Sequence, residues 1–209
     1  MPNMNQETHS PTAFDTSLLE QQLRQEDALL RGHFQLSSGL HSDTYVQCAR
    51  YLRRPELAAP AAAALAAQIQ AAGLRADVVV GPAMGGVVIG YELARQLGVP
   101  GIFTERDADG QMTLRRGFTI EPGEKVIIAE DVVTTGKSTL EVAKVLRSMG
   151  AEVLAVASLI DRTGGNGGLD FPHFALLAVQ AATYAPESCP LCAAGVPVVK
   201  PGSRPERAF

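Results

Sequence analysis

Positions 1–14 are mostly polar and carry no apolar period, which predicts a loose tail. From Ser17 the pattern turns helical. Ser17 and Glu20 have capping-box spacing, and Leu18, Leu19, Leu23, Leu29 and Leu30 supply an apolar face. In Phe34 to Gln47 apolar and polar residues alternate on both sides of a Ser/Gly/His/Asp turn, which predicts two short strands. The alanine-rich stretch from Pro55 to Ala72 opens on proline and stops before Gly73, so it predicts a helix. A regular rhythm follows. Val78 to Val80 is a short apolar strand, the GPAMGG loop (81–86) comes next, and a helix runs through Tyr91, Leu93 and Leu97. Gly101 to Phe103, Val126 to Ala129 and Val153 to Ile160 are three further strands, and Lys137 to Met149 is a helix.

Short apolar strands alternating with helices imply an α/β fold, a parallel sheet covered on both faces. Ligands of such sheets bind at the C-terminal strand ends, so the loops at 81–86, 104–117, 130–138 and 161–168 are the places to search. There is no internal repeat, and no low-complexity segment beyond the alanine-rich helix.

Composition narrows the class. The chain has 209 residues, 46% hydrophobic and 19% charged, enough for a full core. At roughly 100–200 residues per domain this predicts one domain over 15–209, after a flexible tail over 1–14. No apolar run reaches the ~20 residues of a membrane span. Met1 to Ser10 has no apolar signal region, so the expectation is a soluble cytoplasmic protein with no membrane partner. A net charge of −4, from 18 basic and 22 acidic residues, argues against a nucleic-acid partner. It leaves room for a small anionic ligand, which needs only a few local cations.

The chemistry concentrates in Val126 to Leu146. A buried strand ends in adjacent acids, Glu130 and Asp131; Val132 and Val133 follow, then Thr134-Thr135-Gly136-Lys137-Ser138, then an amphipathic helix. Small hydroxyl residues and a glycine let backbone N–H groups converge at a helix N-terminus, which suits a phosphate. Two carboxylates beside that anion site suit the hydroxyls of a ribose, or a magnesium ion with its waters. A P-loop reading fails, because Asp131 stands where the first glycine would be needed. A dinucleotide fold is weak too, since no G-x-G-x-x-G follows a strand.

This combination resembles the phosphoribosyl-diphosphate motif of type I phosphoribosyltransferases. FQLSSGLHSDTYVQ (34–47) and SLIDRTGG (158–165) are similar to segments of the orotate phosphoribosyltransferases within that family, and with GPAMGG the resemblance covers about 32–168. It implies a type I phosphoribosyltransferase fold, a parallel Rossmann-like sheet flanked by helices. The core would span about 55–165, under a small hood made from 30–50 and the C-terminal segment. It implies transfer of ribose 5-phosphate from phosphoribosyl diphosphate to orotate, giving orotidine 5′-monophosphate and diphosphate with Mg²⁺, in pyrimidine biosynthesis. By the match, Glu130 and Asp131 meet the ribose hydroxyls. Val132 to Ser138 (Val132, Val133, Thr134, Thr135, Gly136, Lys137, Ser138) wrap the 5′-phosphate, and Gly85 offers its N–H to diphosphate. Mg²⁺ would be held mainly by the diphosphate, with no direct protein ligand assigned. Thr134, Arg162, Ser38 and Tyr45 face orotate, where a guanidinium fork matches a planar carboxylate.

The sequence departs from the family pattern at several of these positions. Ser37 replaces a lysine, Val46 replaces an aromatic ring beneath orotate, and Met84 and Gly85 replace Tyr and Lys. The segment between Phe103 and Val126 aligns with the family's mobile loop, which closes over a neighbouring subunit and so implies a homodimer. Glu105 stands at its arginine, Arg106 at its first lysine and Asp109 near its second, and no histidine is present. Arg106 is the first candidate for the missing cation and, with Asp131, the expected catalytic pair. Arg115 and Arg116 are further candidates or else flank a hairpin around the turn-forming Asp107-Ala108-Asp109-Gly110. A purine phosphoribosyltransferase, or a non-enzymatic sensor of phosphoribosyl diphosphate, would share the 130–138 motif.

Three cysteines, Cys48, Cys189 and Cys192, suit a reducing compartment better than a disulfide framework. Cys189-Pro190-Leu191-Cys192 reads as ordinary thiols near a turn. The alternative is zinc, whose tetrahedral site would have to take two further ligands from Cys48, His33, His41 and His173. No histidine has an acid–base partner at readable spacing, and none is given a catalytic role.

Overall fold

The computed structural model describes residues 14–36, 38–165 and 167–201. Ser37 and nearly all of the expected tail lie outside the described residues.

The first element among the described residues is helix α1 (Thr16–Gln25). Its N-cap is Asp15, whose carboxylate accepts the N–H groups of Ser17 and Leu18. Ser17 is therefore not the cap, and Glu20 instead pairs with Arg24 one turn on. Leu29 and Leu30 also leave the predicted helical face. Asp27, at a positive φ of 51°, turns the chain, and both leucines enter strand β1 (Leu29–Gln35). Strand β2 (His41–Val46) pairs antiparallel with β1. A short helix α2 (Ala49–Leu52) leads to α3 (Pro55–Ala71), whose Ala58, Ala61, Ala62 and Ala66 are buried in the core.

The main sheet is built from β3 (Val78–Pro82), β4 (Gly101–Arg106), β5 (Met112–Leu114), β6 (Lys125–Val133), β7 (Glu152–Asp161) and β8 (His173–Ala178). Their order is β5-β4-β3-β6-β7-β8. All neighbours are parallel except β5, which forms an antiparallel hairpin with β4. Helix α4 (Gly85–Leu97) connects β3 to β4, and α5 (Lys137–Ser148) connects β6 to β7. Period-two alternation sorts the core. Val79, Ile127, Ala129, Ala155 and Ala157 join the helices α1 to α4 in one cluster. Val78, Val80, Val126, Ile128 and Val156 join Val142, Ala143 and Leu146 of α5 in the other. Both faces are covered, as the unbroken apolar strands imply.

A second, three-stranded sheet has the order β1-β2-β9, with β9 (Thr183–Tyr184) supplied by the C-terminal part of the chain. A 3-10 turn (Pro186–Ser188) and helix α6 (Pro190–Ala193) follow. The chain then returns to β1: Val199 N–H donates to the His33 carbonyl at 2.8 Å, and Gln35 N–H donates to the Val199 carbonyl at 2.8 Å. An irregularity in β1 between Arg31 and Phe34 breaks the alternation, so His33 and Phe34 are both buried.

Candidate active site

The parallel strands β3, β6 and β7 deliver their C-terminal ends to one edge of the sheet. Strand β6 runs through Val133, longer than the Val126 to Ala129 strand expected. Val132 pairs with Ile160 and Val133 with Asp161, so the turn proper is Thr134 to Gly136. Gly136 has φ 74°, the left-handed conformation that glycine tolerates without penalty. A Cβ there would also lie 2.6 Å from the Gly167 carbonyl oxygen. The first N–H groups of α5, which have no acceptor inside the helix, open onto this turn.

Glu130 and Asp131 are adjacent in sequence but differ in environment. Glu130 is only 4% exposed and accepts hydroxyl hydrogen bonds from Ser138 at 2.9 Å and Thr139 at 3.3 Å. Burial pushes its carboxyl up to about 7; the Ser138 bond opposes this, the charge of Asp131 adds to it, and the Thr139 bond opposes it again. The arrangement ties the strand end to the first turn of α5. Asp131 is half-buried and accepts the Val132 N–H at 2.8 Å. Its carboxyl is also raised by burial, against backbone hydrogen bonds that lower it. Gly85, at the start of α4, comes close to this carboxylate: a Cβ at 85 would lie 2.4 Å from Asp131 Oδ1. A lysine here would thus have to displace Asp131, a physical reason for one of the departures from the family pattern.

A cleft of about 720 Å³ joins this edge to the hood. Ser38, Tyr45, Thr134 and Arg162, read from three separate stretches of sequence, all line it. Thr135 lines it too. Arg162 follows β7, and its backbone N–H donates to the Val133 carbonyl. Its guanidinium is half-buried, and Nε is buried with no hydrogen-bond partner in the protein. Burial lowers its pKa, partly offset by Asp43 on β2. Val46 packs against the core, and the described cleft wall takes its aromatic ring from Tyr45 alone.

Sequence reasoning missed the C-terminal wall. Lys200 and Pro201 line the same cleft, brought there by the pairing of Val199 with β1. The Val-Pro-Val-Val run before Lys200 was the available signal, but a single parallel bridge is too short to read from pattern. Strands β8 and β9 were missed as well.

Segment 104–117 is the β4–β5 hairpin closed by Asp107 to Gly110. All three arginines there have carboxylate partners. Arg106 meets Glu141 of α5, and Arg115 and Arg116 both meet Glu105. Cys48 is buried, with its thiol held well up by burial and then by the charge of Asp131. Cys189 and Cys192 do not stand alone near a turn: they gather with His33 and His41 into one cluster. His173 also has a partner, the Ser158 hydroxyl at 2.8 Å.

Comparison with known proteins agrees with this geometry. The phosphoribosyl transferase domain model matches residues 50–183. The chain is 56% identical over 180 residues to orotate phosphoribosyltransferase of Carboxydothermus hydrogenoformans, covering 86% of this chain and 94% of that protein. It is 50% identical over 184 residues to the orotate phosphoribosyltransferase of Caldicellulosiruptor saccharolyticus, covering 88% and 95%. The crystal structure of orotate phosphoribosyltransferase from Aeropyrum pernix superposes with a TM-score of 0.63 at 28% identity, covering 77% of this chain and 93% of that one. With a parallel sheet that ends in an acid pair and a phosphate-type turn, and with relatives matched over nearly their whole length, the chain belongs to the phosphoribosyl transferase family and, within it, to the orotate phosphoribosyltransferases.

Proposed function

We propose that this chain transfers ribose 5-phosphate from phosphoribosyl diphosphate to orotate, giving orotidine 5′-monophosphate and diphosphate in pyrimidine biosynthesis. The observation that carries the reading is the convergence of Ser38, Tyr45, Thr134 and Arg162 on one cleft beside the 134–138 turn. A purine base would offer no carboxylate to the Arg162 guanidinium.

In this reading the 5′-phosphate sits on the N–H groups of Thr134 to Ser138, with the α5 dipole favouring its charge. Asp131 meets the ribose hydroxyls. Glu130 holds the turn through Ser138 and Thr139, a positioning role that adds to its expected contact with the sugar. Tyr45 covers the flat base, and Arg162 clamps its carboxylate. The sugar C1 loses diphosphate through an oxocarbenium-like transition state and a nitrogen of orotate adds. As the bond to C1 forms, the proton on that nitrogen passes to the departing diphosphate or to water, with no protein general base assigned, so positioning and electrostatics supply most of the catalysis. Arg106, at the C-terminal end of β4, is proposed to meet the departing diphosphate once it leaves Glu141.

The donor set fits the Mg²⁺ that the family implies. Glu130 is buried and its Oε1 accepts both hydroxyls, whereas Asp131 is the more exposed carboxylate at the strand end. One carboxylate suits an ion held mainly by diphosphate and sugar oxygens and waters. When bound, Mg²⁺ neutralises charge on the leaving diphosphate. The reading also includes a cytoplasmic homodimer with no nucleic-acid or membrane partner. Among the described residues no helix is long and apolar enough to cross a membrane.

The test follows the ultraviolet absorbance of orotate with phosphoribosyl diphosphate and Mg²⁺, omitting each in turn. Consumption that needs all three is expected. Turnover of adenine, guanine or xanthine instead would overturn the choice of base. Binding of phosphoribosyl diphosphate without turnover of any base would identify a sensor.

A further inference from the structure

The hood holds a second constellation that the transferase reading does not use. His33 of β1, His41 of β2, and Cys189 and Cys192 around α6 present one donor atom each, all within 4.8 Å of one another. His33 Nε2 lies 2.8 Å from His41 Nδ1, 3.5 Å from Cys189 Sγ and 3.7 Å from Cys192 Sγ, and Cys192 Sγ lies 3.3 Å from His41 Nδ1. Three of the four residues are buried: His33 is 2% exposed, His41 6% and Cys189 2%.

The hydrogen bonding gives these groups a direction. His33 Nδ1 lies 2.7 Å from the Val196 carbonyl oxygen, which can only accept, so Nδ1 carries the hydrogen. In the neutral ring Nε2 then turns its lone pair toward His41 and both sulfurs. A ligating histidine tied by its other nitrogen to a backbone carbonyl is the usual support of a metal site. Donors at tetrahedral zinc distances stand about 3.3–3.8 Å apart. Three of the four distances fall in that range, and the two nitrogens would need to part by about half an ångström.

We propose that His33, His41, Cys189 and Cys192 bind a structural Zn²⁺ that fastens the hood to the C-terminal segment. Two thiolates and two imidazoles select zinc over the oxygen-seeking Mg²⁺ of the reaction. Binding releases the two thiol protons to solvent, and two thiolate charges then balance Zn²⁺. Four protein ligands close the site, so the ion has no open position for chemistry. Its role is mechanical. A hood sheet whose third strand has two residues is marginal alone. Six residues separate α6 from the cleft wall of Lys200 and Pro201, among them Val196, which holds His33, and Val199, which bridges to β1. None of the four ligands lines the cleft, so the metal acts on it through the strands.

The test measures metal in the full chain, purified without a metal-affinity tag and under reducing conditions. About one zinc per chain is expected, retained in Cys48→Ser and lost in Cys192→Ser, the most exposed of the ligands. Removing the zinc should lower Tm by several degrees, restored by added Zn²⁺. Should Cys192→Ser fail to fold, wild-type protein loaded with Co²⁺ decides: intense visible bands with thiolate-to-cobalt charge transfer mark a tetrahedral site. A weak octahedral spectrum, wild-type protein that takes up no zinc, or a Cys189–Cys192 disulfide in reduced preparations would overturn the proposal.

Discussion

Arg162 and Glu130 show how little of a residue's role lies in its type. Arg162 is a long cation held half-buried, with Nε lacking any partner in the protein. An unmatched buried donor costs free energy that a bound carboxylate recovers. Arg162→Ala should raise KM for orotate by tenfold or more, about 1.4 kcal/mol, with a smaller effect on KM for phosphoribosyl diphosphate. Arg162→Lys should rescue it poorly, since an ammonium lacks the fork. Equal effects on both substrates would place the side chain elsewhere. Glu130 makes a stability prediction. Its folded pKa, about 7, lies above the ordinary 4.5, so between these values the folded state holds the proton more tightly. Stability contributed by this group is therefore present below pH 4.5 and lost as pH rises through 7, on the order of 3 kcal/mol. Glu130→Gln keeps an acceptor for Ser138 and Thr139 but does not ionise. Denaturant unfolding from pH 5 to 8 should show the variant gaining on wild type as pH rises; parallel profiles would refute the buried charge.

At the scale of elements, the turn after β6 was legible because strand, acid pair, Thr-Thr-Gly and helix follow one another in sequence, and local hydrogen bonding sets their geometry. Its start was misplaced, because β7 pairs with the strand through Val133, a non-local event. The β4–β5 hairpin was readable as one alternative through its Asp-Ala-Asp-Gly turn. The ion pair of Arg106 with Glu141 was not readable, since 35 residues separate them. That pair gives two variants with opposite expectations. Arg106→Ala should lower kcat/KM at least tenfold, about 1.4 kcal/mol, if the guanidinium reaches diphosphate. Glu141→Ala frees the arginine and should leave kcat/KM within about twofold, because an exposed pair contributes little to stability. Equal losses in both would make the contact a structural tie of the hairpin to α5.

For the whole molecule, the proposed homodimer is tested by sedimentation velocity at assay concentration. A dimer is expected, and mixing Arg106→Ala with Asp131→Ala protein should restore part of the activity if the loop serves the neighbouring subunit's site. Additive inactivity would confine each site to its own chain.

The sequence by itself determined the α/β class, the order of the main strands and helices and the phosphate-type turn. These rest on periodicity, capping and short-range turn chemistry, which act within a few residues. It also named four side chains for the base-binding cleft through family resemblance, without showing that they meet. Tertiary structure alone decided the rest. An irregularity in β1 buried two successive residues, the return of the chain through Val199 brought Lys200 to the cleft, and that same return gathered His33 and His41 with a cysteine pair about 150 residues away. Such contacts depend on loop closure and on which sheet edge remains unpaired, and one strand's pattern carries no record of either.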